Sequence, residues 1–479
     1  MKIRVTKNQI EKTPKKYCRL VITEDAPSWH RLVETKDGQL EYRMGAGKYK
    51  DMTARKFRLF MRSIVQAAKG HQIENLAIQS IETITSKGSD PLLQNEGWLY
   101  STIAENLHLA AYEFTTYKSK KNGNKELKEI LICGGLSKKA ETGFKRGEIV
   151  ATATNNARDI ANTPALDMTP DLLAKAAKKA IAGTKAKIKV LNYTELKKLK
   201  MGALLAVGQG AENDPKLIVI EYRGLKKPGA SSKNDSSLKP IVLAGKGITY
   251  DTGGLNVKPS GAMHEMHLDM SGGAMVIGAI AAIAKLKLKK NVIAIIPTAE
   301  NAVSDKAMRA GDIVTSMSGQ TIEVIHTDAE GRMVLADALT YSERFKPKVI
   351  LDVATLTGAS LVALGQHTSA VMTKDAKLQN KLIEAGEESG DYLWPLPLWD
   401  EYKQYIKSTR ADIANIAPSF SKFGGAIEGG IFLSFFAPKK TPWAHIDMAP
   451  RMTSVPSDKL AKGATGEPVL MLVKFVEQY

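Results

Sequence analysis

From Asp171 onward the chain alternates short aliphatic runs with longer stretches of helical spacing, and this alternation restricts the fold more than any other feature. Residues 172–181 and 195–199 read as helical, and residues 188–191 and 217–222 as extended. Aliphatic runs at 241–244, 291–296, 322–325 and 349–354 follow, with helical patterns between them. A chain that returns to strand after each helix builds a sheet covered on both faces, because a crossover helix packs back onto the strands it joins. The predicted class is α/β: a small N-terminal α/β domain and a larger C-terminal α/β domain whose central sheet, largely parallel or mixed, is flanked by helices.

The first third supports a separate domain. It mixes strand-like runs at 76–79 and 130–133 with helical patterns at 57–68 and 102–112, and it carries no cluster of acids. We place this domain at residues 1–146. A stretch of alanines, asparagines and charges then runs to Asn162-Thr163-Pro164, which predicts a connecting helix over residues 147–165 ended by the proline. Residues 166–479 form the second domain, with a surface loop at 226–239 by composition. With 479 residues and 43% hydrophobic content, two cores can be buried.

The uninterrupted apolar run Ala274–Ala284 falls short of the roughly 18 residues that span a bilayer, so no transmembrane helix is predicted. Residues 1–7 are basic with no apolar segment after them, and the predicted location is cytoplasmic. Cys18 and Cys133 stand far apart among apolar neighbours and read as reduced core residues. Any metal must therefore be held by oxygen and nitrogen. The net charge is +18, and residues 1–150 hold 27 Lys and Arg against 17 Asp and Glu, a net of +10. Such a charge suits nucleic acid as a partner, but acids interleave with the bases and aromatics are few, a pattern closer to a solvated lysine-rich surface than to a base-stacking platform.

Chemistry concentrates in three segments, each where a strand ends or a helix starts. Lys246-Gly-Ile-Thr-Tyr-Asp251-Thr-Gly-Gly254 follows the run at 241–244, with Lys258-Pro259 just beyond; Asp269-Met-Ser-Gly-Gly273 opens a small-residue helix; Thr327-Asp-Ala-Glu-Gly-Arg332 follows the run at 322–325. Asp328 and Glu330, two positions apart, point the same way from extended backbone. Crevices at the carboxyl ends of strands are where open α/β sheets bind ligands. Asp251, Asp269, Asp328 and Glu330 brought together would repel one another unless divalent cations neutralise them. Four carboxylates over-ligate one ion, so two ions of magnesium, manganese or zinc are expected.

These segments, together with Asn162-Thr-Pro164, Asp352-Val-Ala-Thr-Leu-Thr-Gly358, Gly424-Gly-Ala426, Trp443-Ala-His-Ile-Asp447 and Gly463-Ala-Thr-Gly466, closely resemble the leucyl aminopeptidase family from about residue 155 to the end. The N-terminal third resembles it only loosely. The resemblance implies that Lys246, Asp251, Asp269, Asp328 and Glu330 bind two divalent ions, zinc or manganese, with Lys246 serving as a neutral amine. It implies that Lys258 and Arg332 are the catalytic pair, Arg332 holding a bicarbonate that shuttles the proton of a water acidified between the ions. Met266, Thr355, Leu356, Gly358 and Ala464 would bind the substrate, a peptide whose first residue is apolar, leucine or methionine in type. A free α-amine can bind one ion and hydrogen-bond Asp269, which an internal peptide nitrogen cannot do. A homohexamer is implied as well. Two alternatives stand beside this activity: a dimetal phosphoesterase, and an aminopeptidase with an added DNA-binding role. One departure is His326, where the family usually has asparagine; beside a completed ligand set it reads as a supporting residue. His264 and His267 read as loop or wall residues and His445 as a core histidine.

Overall fold

The computed structural model describes residues 1–79, 81–119, 126–225, 238–419 and 423–479, so most of the surface loop expected at 226–239 lies outside the described residues. The chain divides into two compact units, Met1–Thr152 with Ser454–Lys462, and Ala153–Thr453 with Gly463–Tyr479. The division falls within the helix Lys138–Asn162. That helix begins ahead of residue 147 because Ser137 Oγ accepts the backbone N–H of Ala140 at 3.1 Å, and it stops before Pro164.

In the first unit six strands, β1 (Lys2–Val5), β2 (Cys18–Thr23), β3 (His30–Glu34), β4 (Leu40–Gly45), β5 (Asn75–Gln79) and β6 (Glu129–Cys133), form a sheet of order β1-β6-β5-β2-β4-β3. Its pairs are parallel except β3 with β4. The helix Ala54–Gly70 starts where Thr53 accepts the N–H of Lys56, and it buries Phe57, Met61, Ile64 and Val65, spaced to share one helical face. With Leu99, Ile103 and Leu107 of the helix Glu96–Ala111, these residues cover Leu76, Ile78, Ile130 and Ile132 of the sheet.

The second unit holds β7 (Lys187–Leu191), β8 (Lys216–Arg223), β9 (Ile241–Gly245), β10 (Gly247–Asp251), β11 (Asn291–Asn301), β12 (Ile313–Thr315), β13 (Thr321–Glu323), β14 (Val349–Ala354), β15 (Ser369–Met372), β16 (Leu393–Pro395), β17 (Ile413–Ala414) and β18 (Trp443–Asp447). Nine of them form a mixed sheet of order β16-β15-β18-β14-β9-β11-β8-β7, with β10 pairing β11. The run expected at 322–325 departs from the sequence reading: β13 ends at Glu323 and joins β12 and β17 in a separate three-stranded sheet. Beyond it the backbone N–H groups of Ile325 and His326 bond the Asn415 side chain instead of a neighbouring strand.

Every residue of β9 and β14 is buried, the near-continuous aliphatic pattern of strands covered on both faces. The helices Ser271–Lys285 and Glu330–Ser342 are buried almost along their whole length. The segment Met266–Lys285 is long and apolar enough in composition to cross a bilayer, but 89% of its window is buried inside the protein, as the central helix of this unit. Strands β9, β10, β11, β14 and β18 run parallel to their neighbours among themselves, so their carboxyl ends meet on one side. Those ends lie just before Lys246, at Asp251, at Asn301, before Thr355 and at Asp447.

Candidate active site

Lys246 sits where the chain leaves β9 and enters β10, both of which run along β11. Its backbone is clamped from two sides, the N–H donating to Val353 O at 3.0 Å and the carbonyl accepting from Gly273 N at 2.6 Å. The side chain passes Gly331, where an added Cβ would fall 2.5 Å from Nζ; glycine in the hexapeptide is therefore a steric requirement of the lysine. Lys246 Nζ stands 2.8 Å from Asp269 Oδ2, 2.8 Å from Glu330 Oε1 and donates to Thr355 O at 3.0 Å. Lys258 Nζ stands 2.8 Å from Asp251 Oδ2 and 2.5 Å from Asp328 Oδ1.

The supporting bonds come partly from the marked segments themselves and partly from Asn256 and Asn301, which no sequence motif marked. Asp251 Oδ1 accepts from Gly253 N at 2.9 Å and from Asn301 Nδ2 at 2.8 Å, and the same Asn301 amide donates to Thr327 O at 3.1 Å. Asn256 and Thr327 bond each other twice: Asn256 N donates to Thr327 Oγ1, and Thr327 N donates to Asn256 Oδ1, both at 2.8 Å. Thr355 Oγ1 donates to Asp269 Oδ1 at 2.7 Å. Asp447, fully buried, accepts from Leu356 N at 3.1 Å and Thr357 Oγ1 at 2.7 Å, which fixes the turn that carries Thr355. Asn301 ends a strand far from the motifs it serves, and its only signal in the sequence is a polar residue closing an aliphatic run; Asp447 closes the segment Trp443–Asp447, which the resemblance marked without giving the residue a role.

The two-residue spacing of Asp328 and Glu330 predicts side chains on one side of extended backbone, and the structure differs. Asp328 lies in a turn and Glu330 is the first residue of the helix Glu330–Ser342, so the side chains converge because the chain turns into a helix. Asp251, Asp328 and Glu330 each bring a carboxylate oxygen within 4.8 Å of the others.

The electrostatics mark the cluster as short of positive charge. Burial disfavours the Lys246 ammonium, yet Asp269, Glu330 and Asp251 outweigh it and hold the pKa above the ordinary lysine value. Lys258 is raised in the same way by Asp251, Glu330 and Asp328 against its burial. Burial pushes the Asp269 carboxyl well above the usual carboxylate range; Lys246 opposes this only in part, and Glu330 and Asp251 add to the rise. Burial, Asp251 and Glu330 push Asp328 up to about 7, against the pull of Lys258. Four carboxylates and two ammonium groups leave a formal net charge of −2. Asp269 Oδ2 and Glu330 Oε1, though at ion-pair distance from Lys246, are buried and receive no aligned hydrogen bond. Buried carboxylate oxygens in that condition are stabilised by a cation, and the oxygen-rich set fits a divalent ion such as manganese, magnesium or zinc.

Beside the cluster opens a cleft of about 400 Å³, whose walls include His326, Asp328, Arg332, Leu356, Gly358 and Glu428. Arg332 is buried and donates through one guanidinium nitrogen to Asn415 O at 2.7 Å and Glu428 Oε1 at 3.2 Å. His326 Nδ1 accepts from Asp328 N at 3.3 Å, while burial and the Lys258 charge lower the ring's pKa, so a neutral imidazole braces the turn. The structure thus gathers Lys246, Asp251, Lys258, Asp269, Asp328 and Glu330 into one network and sets Arg332, Leu356 and Gly358 on the adjoining cleft. Met266 begins the short 3₁₀ turn Met266–Met270 that carries Asp269, and Ala464 is buried with its N–H held by Asn162 Oδ1 at 2.8 Å; neither is among the described residues lining the cleft.

Comparison with known proteins gives this geometry its context. A family profile described as cytosol aminopeptidase family, catalytic domain, matches residues 155–473, and the N-terminal domain of the same family matches residues 43–121. The chain belongs to the cytosol aminopeptidase family. It is 41% identical over 436 residues to the cytosol aminopeptidase of Pseudomonas aeruginosa, covering 90% of this chain and 84% of that one. To a probable cytosol aminopeptidase of Methylobacillus flagellatus it is 40% identical over 441 residues, covering 91% and 84%. Among solved structures it is similar to the bottromycin maturation enzyme BotP in complex with Mn, with TM-score 0.84, 29% identity and coverage of 96% and 98%. It is likewise similar to a mutant of tomato leucine aminopeptidase, with TM-score 0.85, 28% identity and coverage of 100% and 96%. The chain is a metal-dependent aminopeptidase, a hydrolase that removes N-terminal residues.

Proposed function

We propose that Lys246, Asp251, Asp269, Asp328 and Glu330 hold two divalent ions, manganese or zinc, and that the enzyme releases apolar first residues, of leucine or methionine type, from peptides. The observation that carries this reading is the buried carboxylate cluster, with a net negative charge and two carboxylate oxygens lacking aligned donors. When bound, the ions would acidify a water between them and polarise the scissile carbonyl. Lys246 would hold an ion as a neutral amine, its proton released to solvent as the ion's charge takes its place. Lys258, released from Asp251 and Asp328, donates to the carbonyl oxygen as negative charge develops there. Asp269 accepts from the free α-amine, which restricts the enzyme to chain ends. Leu356 and Gly358 on the cleft, with Thr355, Met266 and Ala464, bind the substrate. The proton acceptor stands at Arg332, where the resemblance puts bicarbonate. We place the enzyme in the cytoplasm, like the relatives named for the cytosol, and assign it a homohexameric assembly.

Hydrolysis of a leucine arylamide should require added Mn²⁺ or Zn²⁺ and vanish on chelation. Glu330→Ala should lower kcat by about 10³-fold or more, as loss of preorganised charge in a closed site does, and should weaken Mn²⁺ binding in calorimetry. Chelator-resistant turnover, or full activity in the variant, would overturn the assignment.

A further inference from the structure

The Arg332–Glu428 pair has no place in the ligand set or the substrate contacts. Both residues are buried, 6% and 4% exposed, and both line the cleft that Asp328 shares. Glu428 lies in the first turn of the helix Gly425–Ser434, which comes close to the site because its next residue is glycine: a Cβ at Gly429 would fall 2.9 Å from Leu356 Cδ2 and 3.6 Å from an Arg332 guanidinium nitrogen. Glu428 Oε1 takes the guanidinium at 3.2 Å, and among the described residues no donor bonds its other carboxylate oxygen. Asn415 fixes the same guanidinium nitrogen through its carbonyl, and its own side chain is locked by Ile325 N, His326 N and His326 O. A positioned carboxylate with one oxygen anchored on Arg332 and the other unbonded presents the same groups as a bicarbonate held by that arginine.

We propose that Glu428 is the proton shuttle of this enzyme, a carboxylate built into the chain that takes the place of a free anion at Arg332. This rests on the metal-dependent peptidase reading above. Glu428 accepts a proton as the water O–H bond breaks, the water oxygen forms a bond to the carbonyl carbon, and the carbonyl π pair moves to oxygen. As that pair returns and the C–N bond breaks, its electrons stay on nitrogen and Glu428 returns the proton there. The product is a free amino acid and a shortened peptide with a neutral amine. Arg332 orients Glu428 throughout and keeps its own proton.

The test compares wild type, Glu428→Ala and Glu428→Gln with Mn²⁺ bound, in buffer stripped of carbon dioxide and again with bicarbonate. Wild-type turnover should be unchanged by bicarbonate. Glu428→Ala should lose about 10²-fold or more in kcat, the range of general acid–base catalysis, and bicarbonate should restore much of it. Glu428→Gln should lose as much and stay unrescued, because the amide fills the site and cannot take a proton. Carbon-13 NMR of labelled bicarbonate gives a readout apart from turnover: its resonance should broaden with Glu428→Ala and not with wild type. Full activity of Glu428→Ala without bicarbonate, or wild-type turnover that falls on stripping, would overturn the proposal. If no metal-dependent turnover exists at all, the peptidase reading fails, while the NMR comparison still decides whether Glu428 occupies the anion position.

Discussion

In the first unit most of the described ion pairs lie at the surface, such as Lys128 with Glu74 at 2.6 Å, the side chains 66% and 30% exposed, and Arg43 with Glu41 at 2.9 Å, 45% and 17% exposed; Arg146 with Glu105, 24% and 6% exposed, is the more sheltered exception. In the second unit Lys246, Asp269 and Glu330 meet at 2.8 Å with side chains 2–6% exposed, while Asp352 and His445 pair at 2.5 Å with none. Both units are built from aliphatic strands covered by helices, so the fold class does not separate them. What separates them is where charge is placed. A solvated pair is worth at most about 1 kcal/mol and chiefly keeps a surface soluble. Burying charge costs several kcal/mol per ion, so it persists where something else returns that energy, and here that is a site built to receive cations.

Breaking the buried pattern away from the active site tests this contrast most strongly. Asp352 accepts from Trp443 Nε1 at 2.6 Å and binds His445 Nδ1, whose pKa it raises against the effect of burial. Asp352→Ala removes the buried partner of both the His445 ring and the Trp443 indole N–H and should cost about 3–5 kcal/mol in urea unfolding. A loss below 1 kcal/mol would mean that buried and exposed pairs are equivalent in this chain.

A graded version uses pH. Burial pushes Asp337 up to about 7, although the backbone N–H groups of Met317, Leu204 and Ala203 pull the other way. Between about pH 4 and 7 the folded protein keeps a proton on Asp337 that the unfolded chain has released, so stability should fall as pH rises, at roughly 1.4 kcal/mol per pH unit for this group. Asp337→Asn should flatten that part of the profile relative to wild type, and an unchanged slope would place the carboxylate's ionisation elsewhere. The smallest effect is expected in the first unit. Lys128→Ala should change stability by no more than about 0.5 kcal/mol, less still in high salt, as read by the same unfolding curves.

Much of the site could be read in the sequence, because ligand chemistry fixes residue type and the motifs are local. Thr327 through Arg332 states its carboxylates, its glycine and its arginine in order, and the aliphatic runs before Lys246 and Thr355 mark buried strands whatever surrounds them. Other parts were out of reach for a definite reason. Asn301 serves Asp251, Asn415 serves Arg332, and Asp447 serves the Thr355 turn through contacts between residues 50 to 91 positions apart, and a single aliphatic run says nothing about which strand will lie next to it. The run at 322–325 went to the wrong sheet because periodicity describes one strand's faces and not its partner.

By itself the sequence determined the α/β class, the buried strands and the residue types that gather cations, since these follow from side-chain periodicity and from what a carboxylate or an amine can ligate. Only the tertiary structure decided that β9, β10, β11 and β14 end side by side, that each lysine stands between two carboxylates, and that Glu428 reaches Arg332 from a helix 96 positions along the chain. The physical reason is that strand order and helix approach are set by the packing of the whole core, and charges that lie far apart in sequence interact only once that core has brought them together and excluded water.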